Sequence, residues 1–139
     1  MHTMHGSCYC GNITFTAGLT APAESFEPRA CDCDFCTKHG AAWVTDAQGT
    51  LEISVRDGST LGKFRQGSES ADFLSCTKCS VLCAVVYNEN GVNYGAINSR
   101  AVNQVSFPPA KTVSPKKLPN LEKIARWKEI WFKNVRITF

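Results

Sequence analysis

Cys8-Tyr9-Cys10, Cys31-Asp32-Cys33-Asp34-Phe35-Cys36 and Cys76-Thr77-Lys78-Cys79 gather all but one of the chain's 8 cysteines into three tight knuckles. Sulfurs two or three residues apart can share one tetrahedral ion, whereas a C-x-C pair strains to bridge itself as a disulfide. The pattern therefore reads as metal binding. A structural zinc wants four closed ligands, while a catalytic zinc keeps three protein ligands and an open position. Two pairs and a triplet divide in that way. Cys8, Cys10, Cys76 and Cys79 make a four-sulfur site that staples the start of the chain to its middle and closes a long loop. Cys31, Cys33 and Cys36 supply three sulfurs from six residues and leave one face of a tetrahedron for something else.

Three occupants compete for that face. Cys83 would close an all-sulfur site, His39 would add an imidazole, and otherwise water and a substrate alternate there. Cys83 stands in an apolar run (Val81, Leu82, Ala84, Val85, Val86), where a free cysteine commonly behaves as a small buried hydrophobe. His39, just ahead of Gly40, also reads as a turn residue or a donor to a ligand. An open zinc with three thiolates carries a net negative charge, so it activates water less strongly than zinc on neutral histidines. It still holds an exogenous thiol as thiolate. Such a thiolate attacks small electrophiles such as aldehydes, so thiol chemistry follows more naturally than hydrolysis.

Rigid β-structure must aim these sulfurs. From position 13 to about 97 the segments are short, rich in β-branched and aromatic residues and broken by Gly, Asn and Asp, the texture of an all-β domain. Strands are expected at 13–17, 29–33, 42–45, 51–54, 61–65, 72–75, 83–87 and 92–96. Hairpin turns are expected at Asp57-Gly58-Ser59 and Asn88-Glu89-Asn90-Gly91, with Gly91 at positive φ. A proline-punctuated stretch from Phe107 to Pro119 leads into one helix over 121–132, whose apolar face is Leu121, Ile124, Trp127 and Trp131. The two tryptophans read as core. An edge strand at 135–139 is expected to follow.

One domain spanning 1–139 fits this length. The N-terminus lacks a basic stretch followed by an apolar one, which points to a reducing, cytoplasmic location. No membrane span is expected, since no long apolar run is present. The formal charge of +3 leaves every cysteine neutral; two zinc ions on seven thiolates would bring it to about zero. Nucleic acid is thus not an expected partner, and the basic residues between positions 111 and 136 read as a solvated helix face.

Taken in order, Gly6-Ser7-Cys8-Tyr9-Cys10-Gly11, the stretch from Cys31 through Lys38-His39-Gly40-Ala41, Cys76-Thr77-Lys78-Cys79 and Gly91-Val92-Asn93-Tyr94-Gly95-Ala96-Ile97-Asn98 resemble the glutathione-dependent formaldehyde-activating enzyme family, which includes centromere protein V. The closing Lys123-Ile124-Ala125-Arg126-Trp127-Lys128-Glu129-Ile130-Trp131 is similar to the terminal helix of many short members. The resemblance implies a mainly β, β-tent fold of stacked antiparallel sheets. It also implies a structural zinc at Cys8, Cys10, Cys76 and Cys79 and a second zinc at the catalytic Cys31, Cys33 and Cys36. The implied activity is that of a carbon–sulfur lyase joining glutathione, or another small thiol, to formaldehyde as S-hydroxymethylglutathione. Two positions depart from the family's pattern: Ser80 stands where a glycine commonly follows the last knuckle, and Cys83 is an additional potential ligand. Lys38, Arg65 and Arg100 are candidates to hold substrate carboxylates. The alternative reading is a non-catalytic, zinc-stapled β-domain serving as a protein-interaction module. A redox or metal-buffering protein is a third reading. Oligomeric state is open at this level.

Overall fold

A computed structural model describes residues 1–139. In chain order its elements are β1 (His2–Ser7), β2 (Ile13–Leu19), β3 (Arg29–Cys31), α1 (Asp34–His39), β4 (Trp43–Val44), β5 (Thr50–Val55), β6 (Leu61–Phe64), β7 (Asp72–Cys76), β8 (Leu82–Glu89), β9 (Val92–Asn98), β10 (Lys111–Val113), α2 (Asn120–Ile130) and β11 (Arg136–Thr138). They form a sheet ordered β1-β2-β5-β11 and a larger one ordered β10-β3-β4-β9-β8-β7-β6. Pairing is antiparallel except for two short edge pairs, β10 with β3 and β11 with β5, which are parallel. The architecture is mainly β with a C-terminal helix, as expected. No helix is long and apolar enough to cross a membrane.

The small sheet follows from alternation. Ile13, Phe15, Ala17 and Leu19 of β2 and Leu51, Ile53 and Val55 of β5 point inward, while Thr14, Thr16, Glu52 and Ser54 face solvent. Apart from Ala17, each such side chain contributes roughly 1.5–3 kcal/mol on full burial. They pack against Leu74, Cys83, Ala84, Val86 and Ile97 of the large sheet, so one core fills the space between the sheets. A second, smaller cluster lies on the opposite face of the large sheet, where Trp43, Phe73, Leu82, Val85 and Ala96 meet Cys36 and Trp131. Having apolar company on both faces explains why β8 reads as an unbroken apolar run rather than an alternation.

Two anchors hold α2 over that outer face. Lys128 Nζ lies 2.8 Å from Glu89 Oε2 at the end of β8. Gly95 and Phe132 exchange backbone hydrogen bonds of 2.9 Å each, a close approach that a side chain at Gly95 would crowd, since an added Cβ would sit 3.1 Å from Val135. The helix itself buries no residue fully, and Leu121 is exposed. The expected apolar stripe is thus only partly used, because α2 roofs a cleft instead of sealing a core.

Other differences from expectation have local causes. Strand β1 was not anticipated, its HTMHGS burying only Met4 and Gly6. Strand β3 stops at Cys31, two residues short of the expected 29–33 strand, and the short helix α1, which was not expected, follows from Asp34. The turn at Asp57-Gly58-Ser59 is a crossover, since β5 and β6 belong to different sheets. The turn between β8 and β9 is the expected hairpin, with Asn90 and Gly91 at φ 52° and 82°, the mirror-image turn geometry that matches strand twist. The edge strand expected at 135–139 is β11.

Candidate metal centres and their cleft

The outer knuckles converge. Cys8 and Cys10 lie in the β1–β2 connection, Cys76 ends β7, and Cys79 lies in the turn to β8. All four sulfurs fall within 4.8 Å of one another. The Cys8–Cys10 and Cys10–Cys76 Sγ separations are 3.8 and 3.6 Å, against about 3.8 Å for sulfurs at tetrahedral corners around zinc with bonds near 2.3 Å. The donor set and its spacing fit a zinc ion. The backbone N–H of Ile13 donates to Cys8 Sγ at 3.2 Å, which fixes the sulfur's position. In the second knuckle Ser80 takes φ 70°, and its N–H donates to the Cys76 carbonyl at 2.7 Å. This left-handed position is one where glycine is at ease and serine is strained, which gives the departure at Ser80 a physical meaning.

Cys83 joins neither sulfur cluster. It is fully buried between the sheets with Cys8 and Cys76, on the face of the large sheet opposite that of Cys36. Burial first, then the nearby quartet cysteines, push its thiol up to about 12, so it stays neutral. The apolar reading of this residue holds, and Cys83 does not close the triplet. Cys83→Ala is expected to leave two bound zinc ions per chain and to cost about 1 kcal/mol, the loss of one small buried group. Metal analysis and thermal denaturation check it, and loss of an ion would show that Cys83 is a ligand.

The triplet is built at a strand-to-helix corner. Cys31 ends β3, Cys33 is the N-cap of α1 with its sulfur accepting the Cys36 N–H at 3.4 Å, and Cys36 sits in the first turn. Gly40 at φ 63° ends the helix, its N–H reaching the carbonyls of Cys36 and Thr37. The three sulfurs lie within 4.8 Å of one another and can hold a zinc ion. The Cys36 thiol, donating toward Cys31, lowers the Cys31 pKa and raises its own. A thiolate is thus favoured at Cys31. His39 is outside the cluster; its ring lies 4.6 Å from that of Phe35. The proline-punctuated segment also reaches this corner: the Val113 carbonyl accepts the Asp32 N–H at 3.0 Å, and the Ser114 hydroxyl donates to the Asp32 carboxylate.

Beside the triplet lies a cleft of about 420 Å³, bordered by all three of its cysteines, within the usual range for small-molecule sites. Trp43, Phe73 and Val85 of the large sheet form its floor, and α2 forms a wall through Lys123, Arg126, Trp127 and Ile130. Gln66 lines the opposite side, with Nε2 3.9 Å from Cys33 Sγ. Trp131 is buried in the outer cluster, as expected of a core residue, and Trp127 packs part-buried against that cluster; their rings stack at 4.7 Å and both border the cleft. None of the three expected anion-holding residues lines it. Arg65 is paired with Asp72 at 2.8 Å, Arg100 donates to the Gly40 carbonyl, and Lys38 is exposed near the end of α1. The cations that do line it are Arg29, Lys116, Lys123 and Arg126. On α2 the signal was the spacing 123, 126, 127, 130, an i, i+3, i+4, i+7 face mixing cations with apolar groups. The basic residues of this helix are therefore not all a solvated face.

Together these features define a mainly β protein with two cysteine clusters able to hold zinc, one of which borders a cleft. No protein-family model and no curated protein matches the chain. Among solved structures, a crystal structure of a Rhodobacter sphaeroides protein from a structural genomics programme matches with a TM-score of 0.56 and 24% identity, over 74% of this chain and 91% of that one. The likeness is one of fold.

Proposed function

We propose that this protein is an enzyme of thiol–aldehyde adducts, acting as a carbon–sulfur lyase of the glutathione-dependent formaldehyde-activating type. In this reading Cys8, Cys10, Cys76 and Cys79 hold a structural zinc, and Cys31, Cys33 and Cys36 hold a second. The carrying observation is that the triplet borders a cleft while Cys83, the residue that could have closed it, lies across the sheet. Cys31, Cys33 and Cys36 would hold the zinc, which would favour the thiolate form of an incoming thiol near neutral pH. The corner of β3 and α1 fixes the three sulfurs, Gln66 orients Cys33, and the walls of Trp127 and Trp131 exclude water from the reacting groups. The sulfur of the thiol adds to the aldehyde carbon: a C–S bond forms, the carbonyl π bond breaks, and the proton released by the thiol ends on the new hydroxyl. No oxidant or reductant is consumed, and the reverse reaction releases the aldehyde. Glutathione and formaldehyde are the first pair to try, and a reducing cytoplasm suits the chemistry.

The test is exchange NMR of thiol and aldehyde with the zinc-loaded protein. Acceleration of adduct formation over buffer is expected, and none with any common thiol would overturn the reading. X-ray absorption at the zinc edge adds a second measurement. A gain in sulfur coordination on adding thiol supports the enzyme, whereas coordination at both ions that thiol leaves unchanged favours a zinc-stapled interaction module.

A further inference from the structure

The cleft's chemistry is divided between its walls and its charges. Its apolar surface is aromatic and branched aliphatic, with Trp43, Phe73, Val85, Trp127, Ile130 and Trp131. Its only formally charged side chains, apart from the cysteines, are four cations, and no carboxylate lines it. The chain's ion pairs are Arg65–Asp72, Lys116–Asp32, Lys128–Glu89 and Arg136–Glu52. Lys116 is thus engaged, while Arg29, Lys123 and Arg126 have no carboxylate partner. Arg29 donates to Thr45 Oγ1 at 3.1 Å. It is half-buried, on the strand that ends in Cys31. Cations from β3 and α2 thus border one cleft whose lining contains no carboxylate, which leaves them available to an anionic guest.

Size adds a second constraint. A one-carbon aldehyde is scarcely larger than water, whose share of liquid volume is about 30 Å³, and it has no surface to set against six apolar side chains. A cleft of about 420 Å³ holds a larger guest than that, and its mostly apolar walls favour one less polar than the tripeptide glutathione. Apolar walls with a few convergent polar groups give such a site its affinity from the walls and its orientation from the charges.

We propose that the cleft binds an apolar carboxylate, an organic acid with an aromatic or branched aliphatic body, whose anionic group is held by Arg29, Lys123 and Arg126. This deepens the thiol–aldehyde reading and rests on it only for the reacting group: the preferred aldehyde is then an aryl or branched-alkyl aldehyde bearing a carboxylate, rather than formaldehyde. The body packs on the tryptophans, and the triplet lies at the cleft's border where the carbonyl would be presented.

The chain's 3 tryptophans all line this cleft, so intrinsic fluorescence reports on its occupancy. The experiment titrates zinc-loaded protein, without thiol or aldehyde, with 3-phenylpropionate, 3-phenylpropanol and propionate. The expected result is saturable quenching by phenylpropionate, with a Kd at least tenfold below those of the neutral alcohol and of the short acid. Lys123→Gln/Arg126→Gln, checked for an unchanged melting temperature, should raise the phenylpropionate Kd to that of the alcohol, while Lys111→Gln/Lys133→Gln, outside the cleft, should leave it unchanged. Equal affinity for acid and alcohol, binding of propionate as tight as that of phenylpropionate, or indifference to Lys123→Gln/Arg126→Gln would each overturn the proposal. Charge-dependent binding supports it whether or not adduct formation is accelerated. Acceleration without such binding would retain the enzyme and remove this substrate class.

Discussion

Cys76→Ser is expected to remove one zinc ion and to lower the melting temperature by at least about 15 °C, or to abolish cooperative unfolding altogether. The argument is one of magnitudes. Zinc bound by a closed cysteine site contributes about 10–16 kcal/mol in small metal-dependent domains, as much as the whole stability of an ordinary domain at about 5–15 kcal/mol. Cys76 is fully buried at the end of β7, so serine there weakens the site and leaves a hydroxyl without the metal, at a further cost of about 1–3 kcal/mol. At roughly 3–5 °C per kcal/mol for a chain of this size, a loss of 5 kcal/mol already gives the stated shift. Calorimetry with metal analysis checks it. A melting temperature within a few degrees of wild type would show that the quartet is not a structural staple.

Cys33→Ser should do the opposite: keep the fold and lose the chemistry. Cys33 caps α1 with its sulfur, and serine is among the best residues at that position, so the backbone corner survives and the melting temperature should stay within about 5 °C. The metal site loses one of its three thiolates, and thiol–aldehyde exchange should fall at least 100-fold toward the buffer rate, as expected when a group that positions the reacting thiol is removed. Exchange NMR on a variant with wild-type circular dichroism gives the readout. Full activity would remove the triplet from the reaction, while unfolding would make it a second staple. Compared side by side, the two serine variants separate the roles of the two clusters.

What could be read from residues alone was set by how local the physics is. Strands β2, β5, β8 and β9 were legible because one or both faces are buried and the side chains say so. Helix α1 was not, since six residues are too few for a periodic pattern, although a cap at Cys33, Asp34 in the first turn, Lys38 and His39 in the last and Gly40 at the end are ordinary boundary signals. Strand β1 hid for another reason: its pairing to β2 rests on backbone bonds, and only Met4 marks its inner face among the larger side chains. The sulfur clusters were legible because ligand spacing is short-range. Of the cleft's cations only those of α2 left a local trace, in the mixed face at 123, 126, 127 and 130; nothing local separates Arg29 from Arg65, which is spent on Asp72. Only the tertiary fold decides which charges go unpaired.

The quartet joins two knuckles 66 residues apart, one in each sheet's chain path. Closing so long a loop carries a large entropic cost before any contact rewards it, so these four sulfurs cannot template the early steps of folding. On contact separation alone the N-terminal hairpin is expected to form before the quartet, with Cys8 and Cys10 waiting for β7 and the turn after it. A zinc ion held by all four sulfurs would then be the clasp that joins the chain paths of the two sheets.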